Sequence, residues 1–224
     1  MKSYLRFLSR NKLYTAIEVV GLSVALAFVL IIGSYVWQEY SISRENPDYE
    51  RIYIPTQSMP YGIFEPMKEQ IPEIEKITLV NSFDDVVMEC DDERLVTRGL
   101  AVRGDFFDIF DYEFLIGDAG CLESYTDIVI SESYAAKLAG KPELAVGMKI
   151  VPVDYPSQAY TVTGIIKDFD QNYWKYMDFI CKGESPLNDS AQKNPIFTLS
   201  ATAFIQVAES TDEDIFQGKI QSVF

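Results

Sequence analysis

The 19 residues from Val19 to Trp37, Val-Val-Gly-Leu-Ser-Val-Ala-Leu-Ala-Phe-Val-Leu-Ile-Ile-Gly-Ser-Tyr-Val-Trp, carry no charge. At about 1.5 Å of rise per residue such a helix covers close to the ~30 Å hydrocarbon core of a bilayer. Lipid offers the backbone no hydrogen-bond partners, so a crossing run of this length must be helical. Tyr35, Trp37 and Tyr40 gather at its far end, where amphipathic rings favour the membrane interface. Residues 1–12 carry Lys2, Arg6, Arg10 and Lys12 and no acid, and from Leu13 to Trp37 the only charge is Glu18. The net charge of the chain is −15, which leaves −18 on residues 38–224. By the positive-inside rule the N-terminus is cytoplasmic and everything after about Gln38 lies outside. Nucleic-acid binding needs a basic stripe, and a basic head on an acidic body does not supply one.

Other readings of the run are weaker. Ala25-Leu26-Ala27 resembles a cleavage box, but cutting there leaves Phe28-Val-Leu-Ile-Ile as a new N-terminus, and the apolar run is too long for an ordinary signal core. A buried core helix and a plain single-pass anchor are the other two. Against the plain anchor stand two small-xxx-small pairs, Gly21 with Ala25 and Ser23 with Ala27, which let helix backbones approach closely in lipid. Glu18 sits near the cytoplasmic edge, where it reaches the interface or pairs with Lys12. Residues 1–12 read as a short basic amphipathic helix with Leu5 and Leu8 on one face, suited to an anionic membrane surface or to a cytoplasmic partner. The expected organisation is therefore a cytoplasmic segment over 1–12, a transmembrane helix over 13–37, a stalk over 38–48 and an extracytoplasmic domain over 49–224. Lys2, Arg6, Arg10, Lys12, Tyr35 and Trp37 are its interface anchors.

The body is 48% apolar over the whole chain, ample for a folded core. Short β-like runs fall at Arg51–Thr56, Lys76–Asn81, Val86–Cys90 and Leu95–Val102, with helical character over Ile63–Ile71. Asp105 is placed to cap a helical turn that brings Phe106 and Phe110 together at i,i+4. Ile128-Val-Ile130 reads as a strand, after which Ser131 suits an N-cap, Gly140 a C-terminal stop, and Pro142 prevents continuation. Further strands are expected at Tyr160–Ile166 and Thr198–Val207, with a last helix from about Asp212, capped by Thr211 or Asp212. Residues 170–195, rich in Asn, Ser, Pro and aromatics, read as a long surface excursion. Strands and helices mix without a βαβ rhythm, so the class is α+β, with room for two subdomains. The β–α unit that closes at Phe224 ordinarily pairs with a further strand, so the domain is expected to be truncated there.

Catalytic chemistry is sparse. The chain has no histidine, which removes His-based triads, metal sites and proton shuttles together. It has no P-loop, nucleophile elbow or dinucleotide-binding turn. Asp91-Asp92-Glu93 reads as a solvated hairpin turn. Asp168-Phe-Asp170-Gln-Asn172 matches the start of a calcium loop but has Tyr173 at position six and Phe179 at position twelve. Cys90, Cys121 and Cys181 have no metal or redox spacing; one pair could form a disulfide outside the cytoplasm, but small buried thiols are the simpler reading. No catalytic, cofactor-binding or metal residues are assigned, and the chain is not expected to be an enzyme.

Several segments together resemble the amino-terminal part of ABC-transporter permeases of the MacB/FtsX type. They are Asn11-Lys-Leu-Tyr-Thr-Ala-Ile17 with Gly21-Leu-Ser, Glu50-Arg-Ile-Tyr53, Ile71-Pro-Glu-Ile74, and Phe106-Phe-Asp-Ile-Phe110 with Gly117-Asp118. Ile130-Ser-Glu-Ser133 with Ala136-Lys-Leu138 and Val146-Gly147 follows, then Tyr160-Thr-Val-Thr-Gly-Ile-Ile-Lys-Asp-Phe169. Their order and spacing cover nearly the whole chain. Glu18, Asp170 and a missing loop histidine depart from the pattern. The resemblance implies further membrane helices, a permease dimer, a cytoplasmic ABC ATPase that binds the ATP, and a periplasmic or outer-membrane protein partner. It also implies location in the bacterial inner membrane and transmission of ATP-driven helix motion to the periplasmic domain, with residues 38–48 as the lever. A single-pass sensor or adaptor is the alternative from another class, and a membrane-anchored hydrolase is the third.

Overall fold

The computed structural model describes residues 12–42, 48–56, 59–60, 64–91, 93–168, 174, 176–183, 200–209 and 211–223. The chain divides into two units, Met1–Glu45 and Asn46–Phe224. In the first, helix α1 (Lys12–Ile42) runs 31 residues. It extends five residues past the expected span, into the expected stalk; residues 43–47 lie outside the described ones. Its hydroxyls bond back to the backbone, Ser23 Oγ to the Val19 carbonyl at 2.7 Å and Ser34 Oγ to the Ile31 carbonyl at 2.8 Å. That satisfies both donors without leaving the helix, as an apolar surrounding requires.

The second unit is built on a ten-stranded mixed sheet. Its strands are β1 (Ile52–Tyr53), β2 (Met59–Pro60), β3 (Ile74–Cys90), β4 (Glu93–Gly104), β5 (Phe114–Ile116), β6 (Asp127–Ser131), β7 (Lys149–Pro152), β8 (Tyr160–Ile166), β9 (Phe179–Lys182) and β10 (Ser200–Val207). Its helices are α2 (Phe64–Gln70), α3 (Phe106–Ile109), α4 (Glu132–Ala139) and α5 (Glu213–Val223). The order is β1-β10-β3-β4-β9-β6-β8-β5, with β2 on β10 and β7 joining β3 to β8. Because β7 pairs with β3 at Met88 and Glu89 and with β8 at Thr161 and Tyr160, the path β3-β4-β9-β6-β8-β7 closes on itself as a small barrel.

The β3–β4 hairpin is the longest feature and the expected runs Lys76–Asn81 and Val86–Cys90 are one strand within it. They are joined through a bulge between Phe83 and Val86, where Asp85 has φ +57°. Cys90 pairs with Glu93 and Asp91 has φ +45°, so the hairpin turns within the acidic triplet as expected.

Both faces of the sheet are covered, which explains the unbroken apolar runs of its central strands. Ile128, Ile130, Ile150, Val162, Phe179 and Tyr134 fill the barrel. Met67 and Ile71 after α2, and Phe216 of α5, pack with Ile77, Leu79, Ala203 and Ile205. On the opposite face Phe106, Phe110, Tyr112, Trp174 and Phe204 form an aromatic layer over Leu100, Val129 and Ile180. Phe106 and Phe110 meet with ring centroids 5.2 Å apart, and Phe110 and Trp174 at 4.8 Å.

Ser131 caps α4 by accepting the Tyr134 N–H at 3.2 Å, and Gly140 ends it at φ +74°. Asp212 caps α5 by accepting the Ile215 N–H at 3.2 Å. Asp105 does not cap α3. Its carboxylate instead accepts the Ile77 N–H at 3.1 Å and pairs with Lys68 at 3.0 Å, tying α3 to β3 and α2. The surface excursion expected over 170–195 is also corrected in part. Trp174 is buried and Phe179–Lys182 is a strand in the middle of the sheet, between β4 and β6. A four-residue strand with three consecutive buried residues leaves no periodicity to read.

Candidate functional site

Two places in the molecule carry arrangements that packing alone does not account for, and α1 carries the residues singled out in the sequence. Lys2, Arg6 and Arg10 lie outside the described residues; Lys12 is the first residue of α1. Gly21, Ser23, Ala25 and Ala27 fall in its middle, and a Cβ built on Gly21 meets nothing within 4 Å. Tyr35 and Trp37 stand near its far end, 66% and 76% exposed. The stretch Lys12–Trp37 is 26 residues and is long and apolar enough to cross a membrane; among the described residues no second helix is. A helix apolar on every side is stable in water only when covered, and lipid is the cover that suits this composition.

The first arrangement is a clasp where the chain leads into the body. Arg51 donates from Nη2 to Asp48 Oδ1 at 2.7 Å, and from Nη1 to Glu75 Oε2 and to the Val207 carbonyl, both at 3.0 Å. Gln206 Nε2 donates to the other Asp48 oxygen at 3.0 Å. The hydrogen bond from Arg51, ahead of its charge, holds the Asp48 carboxyl below the usual carboxylate range. Beside this, β1 pairs with β10 and Tyr53 packs on Phe216 of α5 at 5.1 Å. Lys219 of α5 is hydrogen-bonded to Glu73, whose carboxyl is likewise held low by that bond first. The residues after the stalk are thus fixed to β10, to β3 and to α5 at once.

The second is a cleft of about 580 Å³ between β4 and α4, lined among others by Val96, Arg98, Ser133, Lys137, Tyr176 and Asp178. Asp178 closes the β4–β9 ladder. Its N–H donates to the Arg98 carbonyl at 2.7 Å and its Oδ2 accepts the Arg98 N–H at 2.9 Å. Lys137 stands 3.9 Å from the same carboxylate, and Arg98 is 3.5 Å from Asp84. Asp168 is engaged at the start of α4, accepting the Ser133 N–H at 2.9 Å and the Ser133 hydroxyl. Among the described residues no metal-ligand cluster occurs. Two non-glycine residues at positive φ border the cleft, Asp85 at +57° and Tyr176 at +76°. Side chains at such angles are uncommon and mark positions where the fold forces the backbone. The described residues of the cleft offer polar groups of both charges, Arg98 and Lys137 beside Asp168 and Asp178. Sequence reading missed the cleft because five separate segments build it, none with a motif.

The thiols are free, Cys90 and Cys181 buried and Cys121 half-buried. Burial pushes the Cys181 thiol up to about 12.

Among curated proteins the sequence finds no match. Two solved structures share the fold. A domain of a protein assigned as a permease from Porphyromonas gingivalis superposes with a TM-score of 0.67 at 19% identity, covering 80% of this chain and 82% of that one. The periplasmic region of MacB from Actinobacillus actinomycetemcomitans does so with a TM-score of 0.56 at 12% identity, covering 75% and 73%. The sequence also matches the MacB-like periplasmic core domain over residues 15–223. A match over nearly the whole length, on a body of the same fold, places this chain in the MacB-like periplasmic core domain family of ABC-transporter-type permeases.

Proposed function

We propose that this chain is the amino-terminal part of a permease that couples ATP hydrolysis by a cytoplasmic ABC ATPase to motion of the periplasmic body, for export or for control of a partner. On this reading α1 crosses the inner membrane with the N-terminus inside, as the charge asymmetry favours. Gly21, Ser23, Ala25 and Ala27 face neighbouring membrane helices of a permease dimer. The chain is not an enzyme and binds no ATP itself; the partner does. Periplasmic or outer-membrane proteins are the partners at the far side.

The observation that carries the proposal is the clasp at Arg51. Motion is transmitted only if the residues next to the moving element are not free to yield. Here the three bonds of Arg51 and the β1–β10 pairing make residues 48–53 part of the sheet rather than a loose tether. A ligand sensor on a single anchor has no such requirement.

Purification of the native gene product from detergent-solubilised membranes, with mass spectrometry of what accompanies it, tests this. A copurifying ATPase with a P-loop supports the permease reading. A chain that comes alone from membranes overturns it and favours the single-pass sensor or adaptor.

A further inference from the structure

Among the described residues the cleft beside β4 borders an unpaired length of sheet edge. In the β3–β4 hairpin the Val87 carbonyl accepts from Val153 N–H at 2.9 Å, on the β7 side. Val87 therefore faces away from β4, and its register partner Val96 faces away from β3. Alternation places the N–H and C=O of Arg94, Val96 and Arg98 on the same, outer edge. Arg98 is satisfied there by Asp178. Below it β9 does not continue. Tyr176, at φ +76°, lies outside the strand, and Trp174 is buried in the aromatic layer. Among the described residues no backbone group pairs with the outer edge at Arg94 and Val96, and β9 matches β4 only from Gly99 to Val102. The edge is flanked by α4 across the cleft and by exposed apolar side chains, Val96 and Tyr176, each 67% exposed.

We infer that this edge takes up an extended segment of a partner protein as an added strand, lying in line with β9 between β4 and α4. Two pairs of backbone donors and acceptors set out at strand spacing are matched by another backbone and by little else. Val96 and Tyr176 offer contact to an apolar side chain of the guest. A second copy of this chain is disfavoured as the occupant. The open edge is two outward-facing residues long, whereas stable association of folded copies buries about 1,200–2,000 Å². Residues 38–224 also carry −18, so two such bodies repel each other. The same field favours a guest that is neutral or cationic. The inference does not depend on an ATPase driving the chain.

The test uses the full chain in detergent micelles and a fluorescein-labelled hexapeptide, Lys-Thr-Val-Thr-Val-Thr, because edge pairing is driven by main chain and tolerates sequence. Its control is the same peptide N-methylated on alternate amides, with the side chains kept and the donors removed. In the free chain the Arg94 and Val96 amides should exchange quickly with deuterium, and the peptide should protect both. Val96→Asp sets a charge on the edge at an exposed side chain. Val96→Pro removes only the outward N–H, which an edge position tolerates. Each should weaken peptide binding by at least about tenfold while leaving far-UV circular dichroism unchanged. Equal binding of the N-methylated peptide overturns the inference. So does protection of both amides before peptide is added, including protection that rises with protein concentration, which would make a second copy the occupant. Loss of fold in Val96→Pro would show that the N–H faces β3, and would also overturn it.

Discussion

Replacing Gly99 by alanine would put a methyl carbon 2.0 Å from Cζ and 2.2 Å from Cε2 of Phe179. Gly99 and Phe179 are register partners across the parallel β4–β9 pair, and the ring lies flat over the glycine inside the barrel. Carbon atoms rest at about 3.5–4.0 Å, so the ring must retreat by roughly 1.5 Å. Phe179 is 3% exposed and has Ile128, Ile130 and Tyr134 in the same cluster, so there is no empty space to retreat into. Two effects oppose each other. Alanine restricts the unfolded chain and stabilises by about 0.4–1 kcal/mol where the backbone suits it. Overpacking a filled core costs about 1–3 kcal/mol. The clash wins, and Gly99→Ala should lose about 1–2 kcal/mol net. Urea unfolding of the full chain in mild detergent, followed by tryptophan fluorescence, measures it. Phe179→Ala alone should lose about 3–5 kcal/mol by leaving a cavity. The two changes together should lose less than their sum by at least about 1 kcal/mol, since the new methyl then occupies the vacated space. A Gly99→Ala chain as stable as the parent, or losses that simply add, would refute the packing argument.

Four other outcomes follow from the same structure. Ser131→Ala should cost about 1 kcal/mol in the same unfolding assay, because α4 loses its capping acceptor. The Asp48 and Glu73 carboxyls titrate below their ordinary range in the folded chain, so the stability they contribute is present above the unfolded values and is lost as pH falls. Urea midpoints should therefore drop below about pH 4.5, and Arg51→Met and Lys219→Met should each flatten that acid limb; an unchanged limb in both variants refutes the assignment. Arg51→Ala should speed amide exchange at Ile52 and Tyr53 while leaving Ile128–Ile130 as slow as before, which heteronuclear NMR or exchange mass spectrometry reads directly. Cys181, 4% exposed with its thiol pushed up to about 12, should resist iodoacetamide in the folded chain at pH 8 and react on denaturation, with intact mass as the readout.

Sequence reading succeeded wherever the information is local. Strand Tyr160–Ile166 is bounded as the sequence predicts, since its apolar residues alternate and then run on where both faces are buried. The stop and start of α4 are written in Ser131 and Gly140, each of which acts within one turn of its own position. The same is true of α1, where length and absence of charge suffice. Reading failed where the partner is distant in sequence. Asp105 has the chemistry of a cap, but Ile77 and Lys68 claim its carboxylate. Lys149–Pro152 and Phe179–Lys182 are four residues each, and their strand character comes from neighbours they meet only in the folded sheet. The cleft shares this property. Arg98, Ser133, Tyr176 and Asp178 have no common spacing, and only the pairing of β4, β9 and β6 in the sheet brings them together.

The closed barrel and the open edge are two consequences of one strand. β4 spans Glu93–Gly104, longer than any strand on its outer side, so β9 covers its second half and, among the described residues, none pairs with the outer edge of its first half. The clasp lies at the other end of the same sheet, where β10 and the first half of β3 meet Arg51. Strand β3 runs without a break in its pairing to β4, except for the bulge at Asp85, from the clasp end to the barrel. One hydrogen-bonded hairpin therefore joins the strands beside residues 48–53 to the cleft. The bulge at Asp85, which borders that cleft, is the only irregularity in the β3–β4 register.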